Sequence, residues 1–144
     1  MKILITGGAG FIGSAFVRMM IAETDYRVVN LDKLTYAGNL ENLAAVEDSD
    51  RYSFVHGDIC DGQLVDALVA EERPDAIVHF AAESHVDRSI LSPEPVVRTN
   101  FNGTFTMLEA RVITTGNLNV RKYDRASRSD AALDDEYGLL GFSG

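Results

Sequence analysis

The sequence is poor in cysteine and in positive charge, and it has no long apolar run. Its single cysteine, Cys60, rules out an internal disulfide, and a reducing compartment is the simplest setting for it. Only 13 lysines and arginines stand against 22 aspartates and glutamates, a formal net charge of -9. A chain of that sign does not offer the broad basic surface that nucleic acid or an anionic membrane requires. A small anionic ligand remains admissible, because backbone amides can hold a phosphate locally. Charged residues interrupt every apolar stretch well before the roughly 18 residues of a membrane helix. The opening Ile3-Leu4-Ile5 runs straight into glycines and is too short for the core of a secretory signal. The expected setting is cytoplasmic, with neither a membrane nor a nucleic-acid partner. No three of the histidines, Cys60 and the acids have ligand spacing, so no metal is expected. Cys60 has no basic neighbour in sequence to lower its pKa, which argues against a nucleophile.

What is present fits one domain of ordinary size: 144 residues, 46% hydrophobic and 24% charged. Residues 1–110 carry 17 acidic and 8 basic side chains, whereas residues 111–144 carry five of each. Along the first part, strand and helix signals alternate. Strands are expected over Lys2–Thr6, Arg27–Leu31, Tyr52–Val55 and Asp75–Phe80. Helices are expected over Phe11–Ala22, Leu40–Val46 and Gly62–Glu72, and a long one opened by Pro93-Glu94-Pro95 through Glu109, proline being tolerated in a first helical turn. Strands separated by helices imply βαβ units, hence an α/β fold with a doubly wound parallel sheet of the Rossmann type, incomplete at about four strands. Beyond Ala110 the pattern stops. No convincing fifth strand follows, and residues 111–144 read as a divergent tail, loose or weakly helical. The expected division is therefore a nucleotide-binding domain over 1–110 and that tail.

The junction of the first strand and first helix carries Gly7, Gly10 and Gly13. Glycine is asked for three times there: for a tight turn off the strand, for close approach of the backbone to a pyrophosphate, and for packing of the helix on the sheet. The helix start then offers free N–H groups and the positive end of its dipole. The spacing is Gly-x-x-Gly-x-x-Gly, and the strand–helix context lifts it above a chance pattern. Asp32 closes the second strand where an acid would accept hydrogen bonds from adenosine ribose hydroxyls, which favours NAD over NADP. Lys33 and Thr35 beside it weaken that preference slightly. Asp58, after the third strand, admits both a turn role and a ligand contact. The small residues of Phe80-Ala81-Ala82 leave room for a nucleotide close to the backbone.

Thr6-Gly7-Gly8-Ala9-Gly10-Phe11-Ile12-Gly13-Ser14 resembles the extended short-chain dehydrogenases that act as sugar-nucleotide epimerases and dehydratases. Two more stretches, residues 32–43 (Asp32-Lys33-Leu34-Thr35-Tyr36-Ala37-Gly38-Asn39 and onward) and residues 79–90 (His79-Phe80-Ala81-Ala82-Glu83-Ser84-His85 and onward), resemble the dTDP-glucose 4,6-dehydratase family. The resemblance spans about residues 1–110. It implies Phe11 and Ile12 against the pyrophosphate, Asp32, Lys33, Leu34 and Thr35 around the adenosine ribose, and Asp58 and Ile59 at adenine. It further implies Phe80, Ala81, Ala82, Glu83 and Ser84 along the dinucleotide, Thr99 on the nicotinamide side, and Ser84 also facing the sugar nucleotide. The activity it implies is a lyase: hydride passes from the substrate's C4 to NAD, water is lost across C5–C6, and hydride returns at C6. A homodimer built through the helix after Pro95 is implied too, and simple packing of that helix on the sheet reads equally well.

The likeness has gaps. The family's general base is a tyrosine followed four residues later by lysine. Four positions after Tyr26, Tyr36, Tyr52, Tyr123 and Tyr137 stand Asn30, Leu40, His56, Ser127 and Gly141. Asp134-Asp135-Glu136-Tyr137-Gly138 is a partial echo of the family's dehydration motif, one residue short, and it reads as chance or as acid Asp135 beside base Glu136. A truncated or frame-shifted product, departing near Arg111, is the expected origin of these gaps. The alternatives are an NAD-binding fragment that catalyses nothing, or another sugar-nucleotide epimerase or dehydratase. His56 and His79 read as packed core or edge residues, His85 as packing or a ligand contact, and Glu83 and Asp87 as groups that orient their loop.

Overall fold

The structure, a computed structural model, describes residues 1–84 and 92–114. His85, Asp87, Asp135 and Glu136, and the tail beyond Thr114, lie outside the described residues.

Four strands, β1 (Lys2–Thr6), β2 (Arg27–Asp32), β3 (Tyr52–His56) and β4 (Ala76–His79), form one parallel sheet in the order β3-β2-β1-β4. The inner strands β1 and β2 are almost wholly buried, because both of their faces are covered. A strand covered on both faces is largely apolar, as Ile3, Leu4, Ile5, Val28, Val29 and Leu31 are, with Thr6, Asn30 and Asp32 the buried polar exceptions. The outer strands β3 and β4 are only half-buried, and His56 and His79 are exposed at their ends. The edge reading of both histidines therefore holds, and the core reading does not.

Side chains alternate between the two faces of the sheet. Ile3, Ile5 and Val28 pack with Val17 of helix α1 (Phe11–Glu23) and with Leu43 and Val46. Leu4, Val29 and Leu31 pack on the opposite face with Val65, Leu68 and Val69 of α2 (Gly62–Glu72) and with Met107 and Ala110. Helices on both faces of a parallel sheet make the fold doubly wound.

Local signals explain most boundaries. Asp61 caps α2 by accepting the Leu64 N–H at 3.1 Å, and α2 ends at Arg73 in the left-handed region (φ 45) just before Pro74. Thr24 ends α1, its hydroxyl donating to the Met20 carbonyl at 2.6 Å. The helix expected over Leu40–Val46 is shorter: a 3-10 turn over Leu40–Leu43, opened by the Asn39 side chain on the Glu41 N–H at 2.9 Å. The helix expected to open at Pro93-Glu94-Pro95 does so, as α3 (Glu94–Val97) with Pro93 at its cap. It widens into a π-helical segment (Arg98–Gly103) and continues as α4 (Thr104–Thr114), five residues past the expected end at Glu109. One side of this run packs on α2 and the sheet. Its other side leaves Phe101, Phe105 and Leu108 exposed at 71%, 59% and 65%. No helix among the described residues is long and apolar enough to cross a membrane.

Candidate dinucleotide site at the carboxyl edge of the sheet

The register of the sheet brings the four strand-end segments of the expected site to one edge. Thr6 pairs with Leu31 and with His79, and Asp32 pairs with His56, so all four strands end together. The chain runs outward from β1 to β3 and then returns to the other side of β1 as β4. Such a reversal opens a crevice at the carboxyl ends of the strands. The glycine loop, residues 32–35, residues 57–59 and residues 80–84 all leave the sheet at that crevice.

The three glycines have distinct surroundings. Gly7 sits at φ +71, and a Cβ there would lie 2.6 Å from the Ala81 nitrogen, where the chain leaving β4 crosses the loop. A Cβ on Gly13 would lie 2.2 Å from the Gly7 carbonyl oxygen, because α1 rests directly on the loop. Gly10 differs: its Cβ position meets only the Gly7 and Ala37 carbonyl oxygens, at 3.3 and 3.9 Å. Its chain neighbours aside, no other atom of the described residues comes within 4 Å of that position.

The backbone donors of the loop divide in two. Gly7 donates to the Leu31 carbonyl at 3.0 Å, Gly8 to Asn30 Oδ1 at 3.1 Å, Ala9 to Asp32 Oδ2 at 2.8 Å and Gly10 to the Gly7 carbonyl at 3.2 Å. Ser14 begins the intrahelical ladder by donating to Gly10 at 2.9 Å. Between them, the N–H groups of Phe11, Ile12 and Gly13 have no acceptor among the described residues. Gly10 caps α1 without a side chain, and no acid stands in the first turn. The helix thus starts with three free donors and an uncompensated dipole end. Phe11 and Ile12 are 91% and 67% exposed beside them.

Asp32 is nearly buried, and both of its oxygens accept backbone N–H groups: Ala9 on Oδ2, and Leu34 on Oδ1 at 2.8 Å. The carboxylate therefore organises the loop as well as marking the end of β2. Leu34 occupies the left-handed region (φ 54), a strained conformation for a branched side chain that the Asp32 bond helps to hold. Thr35 is exposed, and its carbonyl accepts the Gly38 N–H at 2.9 Å.

Lys33 Nζ donates to Asp58 Oδ2 at 2.7 Å, and Arg98 lies 3.7 Å from the same oxygen. Asp58 Oδ1 takes the Cys60 N–H at 3.0 Å, so the acid holds its own turn as well as an ion pair. Burial works against the Asp58 charge, but Lys33 and Cys60 outweigh it and hold the carboxyl below its ordinary range. Burial and the neighbouring Asp58 push the Cys60 thiol up, which is the opposite of an activated nucleophile. Beside this pair runs a shallow cleft lined by Asp58, Cys60, Asp61, Asp66 and Arg98. Ile59 is 4% exposed, with its side chain packed against Gly103 in the core.

On the β4 side, Phe80 stacks at a tilt on Phe16, with ring centroids 5.4 Å apart, and its N–H donates to Thr6 at 2.9 Å. Ala82 and Ser84 are exposed. Glu83 is held twice by one side chain: its N–H donates to Asn100 Oδ1 at 2.8 Å, and its carbonyl accepts from Asn100 Nδ2 at 2.9 Å. That clamp brings the π-helical segment, including half-buried Thr99, to the same crevice.

Sequence reasoning missed three asparagines. Asn30 is fully buried, holds Gly8, and donates to the Tyr52 hydroxyl at 3.1 Å. Asn42 Nδ2 donates to the Ala9 carbonyl at 3.1 Å, and Asn100 clamps Glu83. Only Asn30 left a signal, as a polar residue inside an otherwise apolar inner strand.

Comparison with known proteins bears on this arrangement. The sequence pattern of the family described as GDP-mannose 4,6 dehydratase matches residues 4–131. A dTDP-glucose 4,6-dehydratase of Shigella flexneri is 53% identical over 140 residues, covering 97% of this chain and 39% of the relative. An enzyme of the same name from Escherichia coli K12 is 51% identical over the same span. The chain thus spans about two fifths of the curated relatives it matches, and the likeness reaches beyond residue 110. Among solved structures, a dTDP-glucose 4,6-dehydratase of Streptomyces venezuelae with NAD bound superposes with a TM-score of 0.74. It is 50% identical, covering 79% of this chain and 36% of that one. A UDP-glucose 4-epimerase of Thermotoga maritima reaches a TM-score of 0.72 at 33% identity, covering 80% of this chain and 35% of that one.

Proposed function

The chain belongs to the GDP-mannose 4,6 dehydratase family, and from that premise we propose that it is the NAD-binding portion of a dTDP-glucose 4,6-dehydratase. The observation that carries the reading is the start of α1, where three adjacent N–H groups lack acceptors among the described residues, beside the open side of Gly10. A pyrophosphate supplies the acceptors and the negative charge that such a corner needs. The group fits on a second count, since Asp32 keeps lone pairs for ribose hydroxyls after accepting Ala9 and Leu34.

In this reading Gly7, Gly10, Phe11, Ile12 and Gly13 hold the pyrophosphate, and Asp32, Lys33, Leu34 and Thr35 surround the adenosine ribose. Asp58 and the main chain of Ile59 border adenine. Phe80, Ala81, Ala82, Glu83 and Ser84 run along the dinucleotide, with Thr99 on the nicotinamide side and Ser84 also toward a sugar nucleotide. NAD bound there would supply the reversible hydride acceptor of the dehydratase reaction. The residues of this chain bind and orient it.

The dehydratase reading is favoured over an epimerase by identity, 50% against 33% for two structures that superpose almost equally well. The absence of any Tyr-x-x-x-Lys in the sequence supports a chain that binds but does not turn over alone. The exposed Phe101, Phe105 and Leu108 support pairing of two copies through this helix. Isothermal titration with NAD, followed by an assay for the 4-keto-6-deoxy product from dTDP-glucose, tests the reading. Saturable NAD binding without product is expected. A chain indifferent to NAD contradicts the binding reading, and measurable product contradicts the non-catalytic one.

A further inference from the structure

Among the described residues, the adenosine side of the crevice carries two cations, and a single acid holds both. Lys33 directly follows Asp32, so its ammonium is within side-chain reach of whatever Asp32 grips. Its Nζ is instead bound to Asp58 Oδ2 at 2.7 Å, and Arg98 approaches the same oxygen at 3.7 Å. We propose that Asp58 is a specificity-determining residue, one that disfavours a dinucleotide carrying a 2′-phosphate by keeping Lys33 and Arg98 engaged in ion pairs. This proposal rests on the reading of the site as an NAD site and deepens it.

The argument is one of competition. A 2′-phosphate binds where an arginine or lysine is free to meet it. Both candidate cations at this corner already have a partner. Recruiting Lys33 would strip its counter-charge from an Asp58 whose side chain is only 20% exposed, whereas the lysine's own is 52% exposed and solvates readily. Among the described residues, the other acids of this rim are Asp32, Asp61 and Asp66, all of which repel a phosphate. Lys33 therefore does not weaken the preference set by Asp32, contrary to what its position beside that acid suggests.

The test is a double-mutant cycle on the full chain, reading the ratio of NADP to NAD affinity at low salt. Asp58→Asn keeps an acceptor for the Cys60 N–H, so the turn survives, and any lost adenine contact weakens both dinucleotides alike. The ratio is expected to rise about fivefold toward NADP, the scale of one partly exposed ion pair. Lys33→Met alone should change the ratio less than about twofold, since the ammonium is already engaged. Made on top of Asp58→Asn, the same change should remove most of the gain. An unchanged ratio in Asp58→Asn, or an equal effect of Lys33→Met in both backgrounds, overturns the proposal while leaving the NAD site intact. A wild-type chain that binds neither dinucleotide overturns the site reading, and the proposal falls with it.

Discussion

Asp32 Oδ2 accepts the Ala9 N–H at 2.8 Å, tying the end of β2 to the glycine loop that leaves β1. Its other oxygen accepts the Leu34 N–H at the same distance. Asp32→Asn turns one of those acceptors into a donor and sets two donors face to face in a nearly buried site. A loss of about 1–3 kcal/mol is expected in urea unfolding. NAD affinity should fall with it. A variant as stable as the parent would show that the two bonds do not hold the loop.

The glycine loop predicts three different outcomes for one kind of substitution. Gly7→Ala meets both a left-handed φ and a nitrogen 2.6 Å away, and Gly13→Ala meets a carbonyl oxygen at 2.2 Å. Each should cost about 2 kcal/mol or more. Gly10→Ala has more room, so the expected stability cost is about 1 kcal/mol or less. Its methyl would instead occupy the space left for a diphosphate, and NAD affinity should drop by at least tenfold, about 1.4 kcal/mol. Paired unfolding curves and NAD titrations check this. A Gly10→Ala chain that binds NAD as well as the parent would remove the diphosphate from that spot.

Asn100 clamps Glu83 through both of its main-chain groups. Asn100→Ala frees the segment leaving β4, and amide exchange at Glu83 should quicken by about tenfold, the worth of one to two hydrogen bonds. Unchanged protection at Glu83 would mean that the segment is held by something else.

His79 links the sheet to α4, its Nδ1 lying 2.6 Å from the Thr6 hydroxyl and its Nε2 3.1 Å from the Thr104 hydroxyl. Desolvation of the ring between them lowers its pKa below the ordinary 6.5. As pH falls, the unfolded chain therefore takes up this proton before the folded chain does. Stability from the neutral ring is full above 6.5 and declines below it, until the folded ring is protonated too. Unfolding measured at about pH 7.5 and about pH 5.5 should show this loss in the parent and a smaller one in His79→Gln, which titrates nothing. Equal losses in both would assign the effect to other groups.

Much of this was legible in the sequence, and the reasons are local. The β1 run Lys2–Thr6 and the helix Gly62–Glu72 were readable to the residue, because apolar runs and the Pro74 break act within a few positions. The glycine roles followed from a strand–helix junction that leaves few ways to turn. What escaped depends on partners far apart in the chain. Asn100 meets Glu83 across 17 residues, Asn30 meets Gly8 across 22, and Asn42 meets Ala9 across 33. A linear pattern marks none of these partners, although Asn30 stands out as a polar residue within the buried β2. The same limit applied to Lys33, whose position beside Asp32 does not show that in space it is held by Asp58. Ile59 reads as an adenine contact, while folding takes its side chain into the core against Gly103.

An amide-resolved NMR titration of the chain with NAD tests the central claim most directly. The N–H signals of Phe11, Ile12 and Gly13, which have no acceptor among the described residues, should move farthest and saturate together. Those of Gly8 and Ala9, already bound to Asn30 and Asp32, should move less. A spectrum unchanged at saturating NAD, or one whose largest shifts lie away from the start of α1, would contradict it.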